Sequence, residues 1–209
     1  MKKLTTKIIA LVFVSISIVA CKDEKKEVVK AAKNHQTEMK HDTHEHDANA
    51  GDHHHNDANT TDRNIASNQQ KNSATTPIIN AYLAIKNGLV ADDKAATAKG
   101  AKNLLAAFSK FDMSKLSGDT HKKHMEILES AKEQATHIVK SPIDHQREHF
   151  ETLSTDISDM ITLLGTEKTL YQDYCPMAKA SWLSEVKDIK NPYYGAKMMT
   201  CGSVKKQIN

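Results

Sequence analysis

Apolar positions along this chain change period twice. Residues 8–19 form a short, mostly apolar run behind Lys2, Lys3 and Lys7, and residues 22–75 hold almost no large apolar side chains. From Thr76 onward apolar residues recur every three or four positions, the period of an amphipathic helix. Ile78, Tyr82, Ile85 and Leu89 make the first stripe, entered through Thr75 or Thr76 as a cap with Pro77 at the first helical position. Asp92 or Asp93 starts a second helix, with Ala98, Ala101, Leu105 and Phe108 in line. Ser117-Gly118-Asp119 breaks the pattern, and a third helix runs to about Lys140 with His124, Leu128, Ala131, Ala135 and Ile138 on one face. Ser141 as N-cap, Pro142 at the next position and Asp144 near the positive helix end open a fourth. Its stripe is Gln146, Phe150, Leu153, Ile157, Met160 and Leu164, and Gly165 is its stop. Four such helices with short connections predict a mainly α fold, an antiparallel four-helix bundle over residues 76–166. Residues 169–174 have strand character, and Pro176, Pro192 and Gly195 mark turns. A short irregular or β C-terminal segment is therefore expected to pack on the bundle and to end in a frayed tail from Lys205.

Composition adds an organisation. With 209 residues, 39% hydrophobic and 5% aromatic, the chain suits one modest domain with unfolded tails. Residues 1–20 read as a secretory signal: a basic start, then an apolar run too short for a comfortable membrane span. Ile18-Val19-Ala20-Cys21 resembles a bacterial lipobox, which makes Cys21 the acylated residue and the membrane the anchor; the alternative is an ordinary signal peptide with a free cysteine. Lys22-Asp23-Glu24 resembles an export signal of surface lipoproteins. The expected location is the outer membrane, facing the periplasm or the cell surface. Residues 21–75 read as a disordered tether, because so polar a segment cannot offset its ordering entropy. The net charge of +3 drops to near zero without the three lysines of the signal, so nothing points to nucleic acid. The domain proper is expected at 76–206.

Candidate chemistry lies in three places. The tether carries His35, His41, His44, His46, His53, His54 and His55 among acidic residues, which reads as weak, multi-site capture of Cu(II), Zn(II) or Ni(II), or else as a solvated linker. His145 and His149 are one helical turn apart and form either a supplementary ligand pair or two surface residues. The stretch 171–202 concentrates two of the 3 cysteines, the only Trp, four of the 5 tyrosines and three of the 8 methionines. Cys175-Pro176-Met177 mirrors Met199-Thr200-Cys201. In extended backbone, residues two apart share a side, so Cys175, Met177, Met199 and Cys201 could converge, with Met198 in reserve. Thiolate and thioether select Cu(I) over harder ions. Outside the cytoplasm the same two cysteines equally suit a structural disulfide. Gln146, polar within an apolar stripe, and Arg147 are expected to bond the backbone of this segment. An enzyme is not expected: there is no C-x-x-C, no Gly-rich phosphate loop, no Ser/His/Asp pattern, and Gln146 stands where an HExxH site needs glutamate.

The pieces YxxYCPMA, WLS, I-x-NPYYG and MMTCG-x-V, with Gln146, Arg147, Phe150, Leu153 and Ser154 as Q-R-x-x-F-x-x-L-S, resemble a family of small domains of unknown function. That family occurs on free-standing bacterial lipoproteins and fused to periplasmic adaptor subunits of copper/silver-type heavy-metal efflux systems. The resemblance runs from about Pro77 to Lys206; the segment between Ala178 and Trp182 is shorter here than in relatives that carry a Gly/Asn-rich insertion. It implies a non-catalytic envelope protein of copper homeostasis or efflux, a metal chaperone or scavenger. Copper as Cu(I) is the implied ion, silver or zinc the others, and an efflux adaptor or pump the implied partner. It favours the metal reading of Cys175 and Cys201 over the disulfide.

Overall fold

A computed structural model describes residues 63–68 and 70–208. The signal, Cys21 and the histidines between positions 35 and 55 lie outside the described residues. The order is α1 (Thr76–Val90), α2 (Lys94–Lys110), α3 (Gly118–Lys140), α4 (Ile143–Leu164), then β1 (Leu170–Cys175), β2 (Ala180–Ser184) and β3 (Ser203–Ile208), with short 3₁₀ turns at Ser73–Thr75, Met113–Lys115 and Gly195–Met198. The four-helix bundle is as expected: α1 packs on α2, α2 on α3, α3 on α4, and α1 returns to α4. No described helix is long and apolar enough to cross a membrane.

The stripes account for the core. Ile78, Tyr82, Ile85 and Leu89 are buried from α1; Ile127, Leu128, Ala131, Ala135 and Ile138 from α3; Phe150, Leu153, Ile157 and Met160 from α4. In α2 Ala101 and Phe108 are buried as expected, while Thr97 and Leu104 are buried one position before the expected Ala98 and Leu105, which are half-buried. Two glycines set that offset. A Cβ on Gly88 would sit 2.5 Å from Thr97 Oγ1, and one on Gly100 2.8 Å from the Ile85 nitrogen, so α1 and α2 approach backbone to backbone.

Helix ends follow the sequence only partly. Asp93 caps α2, its carboxylate accepting from the Ala96 N–H at 2.9 Å. Gly165 ends α4 with φ +81°. Ser141 is not the cap of α4: Pro142 takes that place with no side-chain bond, while the Ser141 N–H closes α3 on the His137 carbonyl at 3.1 Å. Two helices meeting at so short a corner leave Ser141 committed to the first.

Ordered contacts begin ahead of the expected boundary at 75. Arg63 reaches Asp156 at 2.7 Å and Asp159 at 3.0 Å, the Asn68 N–H donates to the Thr162 carbonyl, and Asn72 donates to the Leu164 carbonyl. Thr75 donates to the Gly165 carbonyl at 3.1 Å. Residues 63–75 thus dock along α4 instead of belonging to a tether. The C-terminal segment is also more regular than expected. β1 is the central strand of an antiparallel sheet of order β2-β1-β3, and the expected frayed tail is β3 itself, with Leu170 opposite Ile208 and Tyr174 opposite Ser203.

Candidate metal centre

The sheet delivers the two cysteines to one place. Cys175 ends β1 opposite Ala180 of β2, while Cys201 lies just before β3, whose Ser203 pairs with Tyr174. Their sulfurs are 3.3 Å apart. The convergence arises from strand pairing and not from the two-residue alternation expected for C-x-M and M-x-C. Residues 176–179 are a turn, and the Cys201 N–H bonds back to the Met198 carbonyl at 3.0 Å, so neither short segment is extended. Met177 consequently points outward, 62% exposed, whereas Met198 and Met199 are half-buried.

The turn at 176–179 also sets the chemistry of Cys175. Its side chain is fully buried, and burial pushes the thiol up. The Ala178 N–H at 3.4 Å, the Cys201 thiol, the Asn191 amide and the Met177 N–H outweigh that and hold Cys175 below the ordinary thiol range. Successive backbone N–H groups around a turn make such an anion cradle. Cys201 moves the other way, raised first by its hydrogen bond to Cys175 and then by burial. One proton shared between two sulfurs gives this split.

Asn191 organises the loop between β2 and β3. It is fully buried. Its amide donates to the Cys201 carbonyl at 2.7 Å, its side-chain oxygen accepts from the Tyr193 and Tyr194 N–H groups, and its own N–H donates to the Met199 carbonyl at 2.8 Å. The I-x-NPYYG motif contains Asn191, yet the sequence assigned it no role; an Asn just before Pro192 is the signal for such a turn.

Arg147 carries this loop on α4. Its guanidinium donates to the Pro192 carbonyl at 3.1 Å, to the Leu89 carbonyl at 3.2 Å and to Asp92, whose other oxygen accepts from the Ala196 N–H. The expectation for Arg147 holds. That for Gln146 does not: its amide donates to the Ile138 carbonyl at 2.9 Å and the Lys94 carbonyl at 3.2 Å, tying α3 and α2 to α4. One residue apart on a helix, the two side chains point about 100° away from each other. Tyr82 stacks on Phe150, Phe150 meets Tyr193 at a tilt and Tyr193 meets Trp182 edge to face, with centroids 5.2, 5.9 and 5.9 Å apart, joining bundle core to sheet. The Tyr82 hydroxyl accepts from the Leu183 N–H at 3.0 Å. Asp173 is buried on β1, and desolvation pushes its carboxyl up to about 6.

The two helical histidines are elsewhere. His149 stacks on His137 with centroids 4.5 Å apart, His145 stands 6.1 Å from His149, and His149 Nδ1 lies 2.9 Å from Gln134 Oε1. None of these contacts involves the sulfur loop. Among the described residues no group of three His, Cys, Asp or Glu is placed so that it could hold a metal ion as the side chains stand.

Residues 78–169 match the family described as "Protein of unknown function (DUF3347)". No curated protein and no solved structure matches the chain. The DUF3347 match spans the helices and stops just before β1, so Gln146, Arg147 and Phe150 fall inside it, and both cysteines fall outside.

Proposed function

We propose that this chain is a non-catalytic envelope lipoprotein, anchored through Cys21, that binds soft ions, Cu(I) or Ag(I), at Cys175 and Cys201. The methionines Met177, Met198 and Met199 are its thioether donors, and its role is capture or delivery in copper homeostasis or efflux. An outer-membrane location and hand-over to a heavy-metal efflux adaptor belong to the same reading. The observation that carries it is the pair of sulfurs 3.3 Å apart, with Cys175 held toward thiolate by backbone donors. Two sulfurs held by arms of about 2.3 Å at a tetrahedral ion stand roughly 3.7 Å apart, so a slight opening admits one. The exposed Met177 has to swing inward to join; Met198 and Met199 lie on the loop that Asn191 pins beside Cys201. Zn(II), harder than Cu(I), competes poorly at such donors.

The same separation supports a second reading, a structural Cys175–Cys201 disulfide, since closure to about 2.05 Å needs little movement. A Cu(I) titration of the reduced full chain, in competition with a chromophoric chelator, separates them. The Met177→Leu/Met199→Leu chain should fold, because such swaps cost less than about 1.5 kcal/mol, and should bind Cu(I) more weakly. Equal affinity means that neither thioether is a ligand. No Cu(I) bound by the reduced parent overturns the metal reading.

A further inference from the structure

Away from the sulfur loop, three imidazoles gather where the end of α3 meets the start of α4. We propose that His137, His145 and His149 form a second, independent site for a borderline divalent ion, Zn(II), Ni(II) or Cu(II), that clamps α3 to α4.

The strongest ground is the preparation of His149. Its Nδ1 lies 2.9 Å from Gln134 Oε1. An amide oxygen only accepts, so Nδ1 carries the proton and Nε2 keeps its lone pair. A ring oriented and tautomerised through its second nitrogen is how proteins ready a histidine for a metal. The neighbours supply the rest. His137 stacks at 4.5 Å from the other helix, and His145 stands at 6.1 Å one turn back along α4. His145 Nε2 is 3.5 Å from Glu148 Oε2, and Glu133 and Glu148 both place negative charge near His149.

The rings are gathered but not yet converged. Zinc needs nitrogens at about 2.0–2.1 Å, and no described trio already provides that arrangement. His137 and His145 are exposed and His149 is not. Capture therefore turns two exposed rings, a picosecond-to-nanosecond motion, onto one fixed ring. The ion differs from that at the cysteines because the donors do: imidazole suits Zn(II), Ni(II) and Cu(II), thiolate and thioether suit Cu(I).

The test is Zn(II) titration of the full chain with ¹⁵N-labelled histidine, which reads each ring separately. The ring nitrogens of His137, His145 and His149 should shift together and saturate at about one ion per chain, with Nδ1–H of His149 retained. Gln134→Leu should weaken this binding roughly 10-fold or more, and His137→Gln, an exposed change that leaves the core intact, should weaken it at His149 also. Cys175→Ser should leave it unchanged. Rings between positions 35 and 55 that fill while His149 stays unshifted would overturn the site. So would a His149 shift indifferent to His137→Gln. Loss of the shift in Cys175→Ser would overturn its independence, whatever becomes of the Cu(I) reading.

Discussion

Replacing Arg147 by Met should loosen the sulfur loop while the helices remain. Met keeps the apolar stem and removes four hydrogen bonds: to the Pro192 and Leu89 carbonyls, to Asp92 and to Asp144. They are not worth the same. Asp144 is 83% exposed and its contact is 3.3 Å long, so it contributes next to nothing. Asp92 is 45% exposed, and its ion pair is worth about 0.5 kcal/mol. The carbonyls of Leu89 and Pro192 belong to buried residues. The Leu89 carbonyl keeps the Asp92 N–H at 3.2 Å, so losing the guanidinium costs about 0.5–1 kcal/mol there; the Pro192 carbonyl loses its charged donor at about 1–2 kcal/mol once partial solvation is allowed for. The sum is about 2–3.5 kcal/mol. Urea unfolding of parent, Arg147→Met, Asp92→Asn and the double variant measures it, and the cycle should return a coupling of about 0.5–1 kcal/mol for the pair. Hydrogen exchange locates the effect. The Ala196 N–H, which donates to Asp92 at 3.1 Å, should exchange faster in Arg147→Met, while central-strand amides of β1 should change only with global stability. A loss below about 0.5 kcal/mol with unchanged Ala196 exchange would mean that the loop holds itself and that Arg147 is an ordinary surface cation.

Two further outcomes follow from buried and strained positions. His124 is fully buried with neither ring nitrogen bonded, and burial lowers its pKa from 6.5, helped by His121 and Lys132. Its folded value lies below its unfolded one, so its contribution is complete above 6.5 and is lost as pH falls through the window beneath it. His124→Phe, beside Phe111, should flatten the melting temperature between pH 7 and pH 5; an unchanged slope would assign that acid sensitivity to other groups. Gly165→Ala should lower stability by at least about 2 kcal/mol, because φ is +81° and a Cβ there would overlap the Gln70 carbonyl oxygen. A melting temperature within a degree or so of the parent's would show that residues 70–75 yield without loss.

The helices were legible because each buries one face, and burial at a 3.6-residue period is written directly into residue order. Gly165 and Asp93 were legible for the same local reason: a left-handed stop and a cap need particular side chains at particular places. β3 was not legible. Ser203–Ile208 is exposed almost throughout and reads polar, so only its pairing with β1 makes it a strand. Arg63 was hidden likewise, since its value depends on Asp156 and Asp159, far along the chain. The cysteine pair was found by a sound residue choice joined to an unsound geometry: neither short segment is extended, and the sheet register brings the sulfurs together. Gln146 was given the wrong partner because its stripe position shows burial and says nothing of which backbone lies opposite.

The docking of residues 63–75 has a mechanical consequence. A pull on the chain from its N-terminal side is borne first by Arg63 on Asp156, then by Asn68 at Thr162 and Asn72 at Leu164, a row of bonds along the second half of α4. Loaded in that order they break in succession, as a zip opens, and each rupture relieves the strain before the next bond is reached. The sulfur loop hangs from Arg147 near the start of that helix, roughly 13 Å from the first of these bonds and roughly 25 Å from the last. Residues 63–75 thus act as a fuse: drag applied on that side is spent in peeling them, and the loop that holds Cys201 keeps its shape until the fuse is gone.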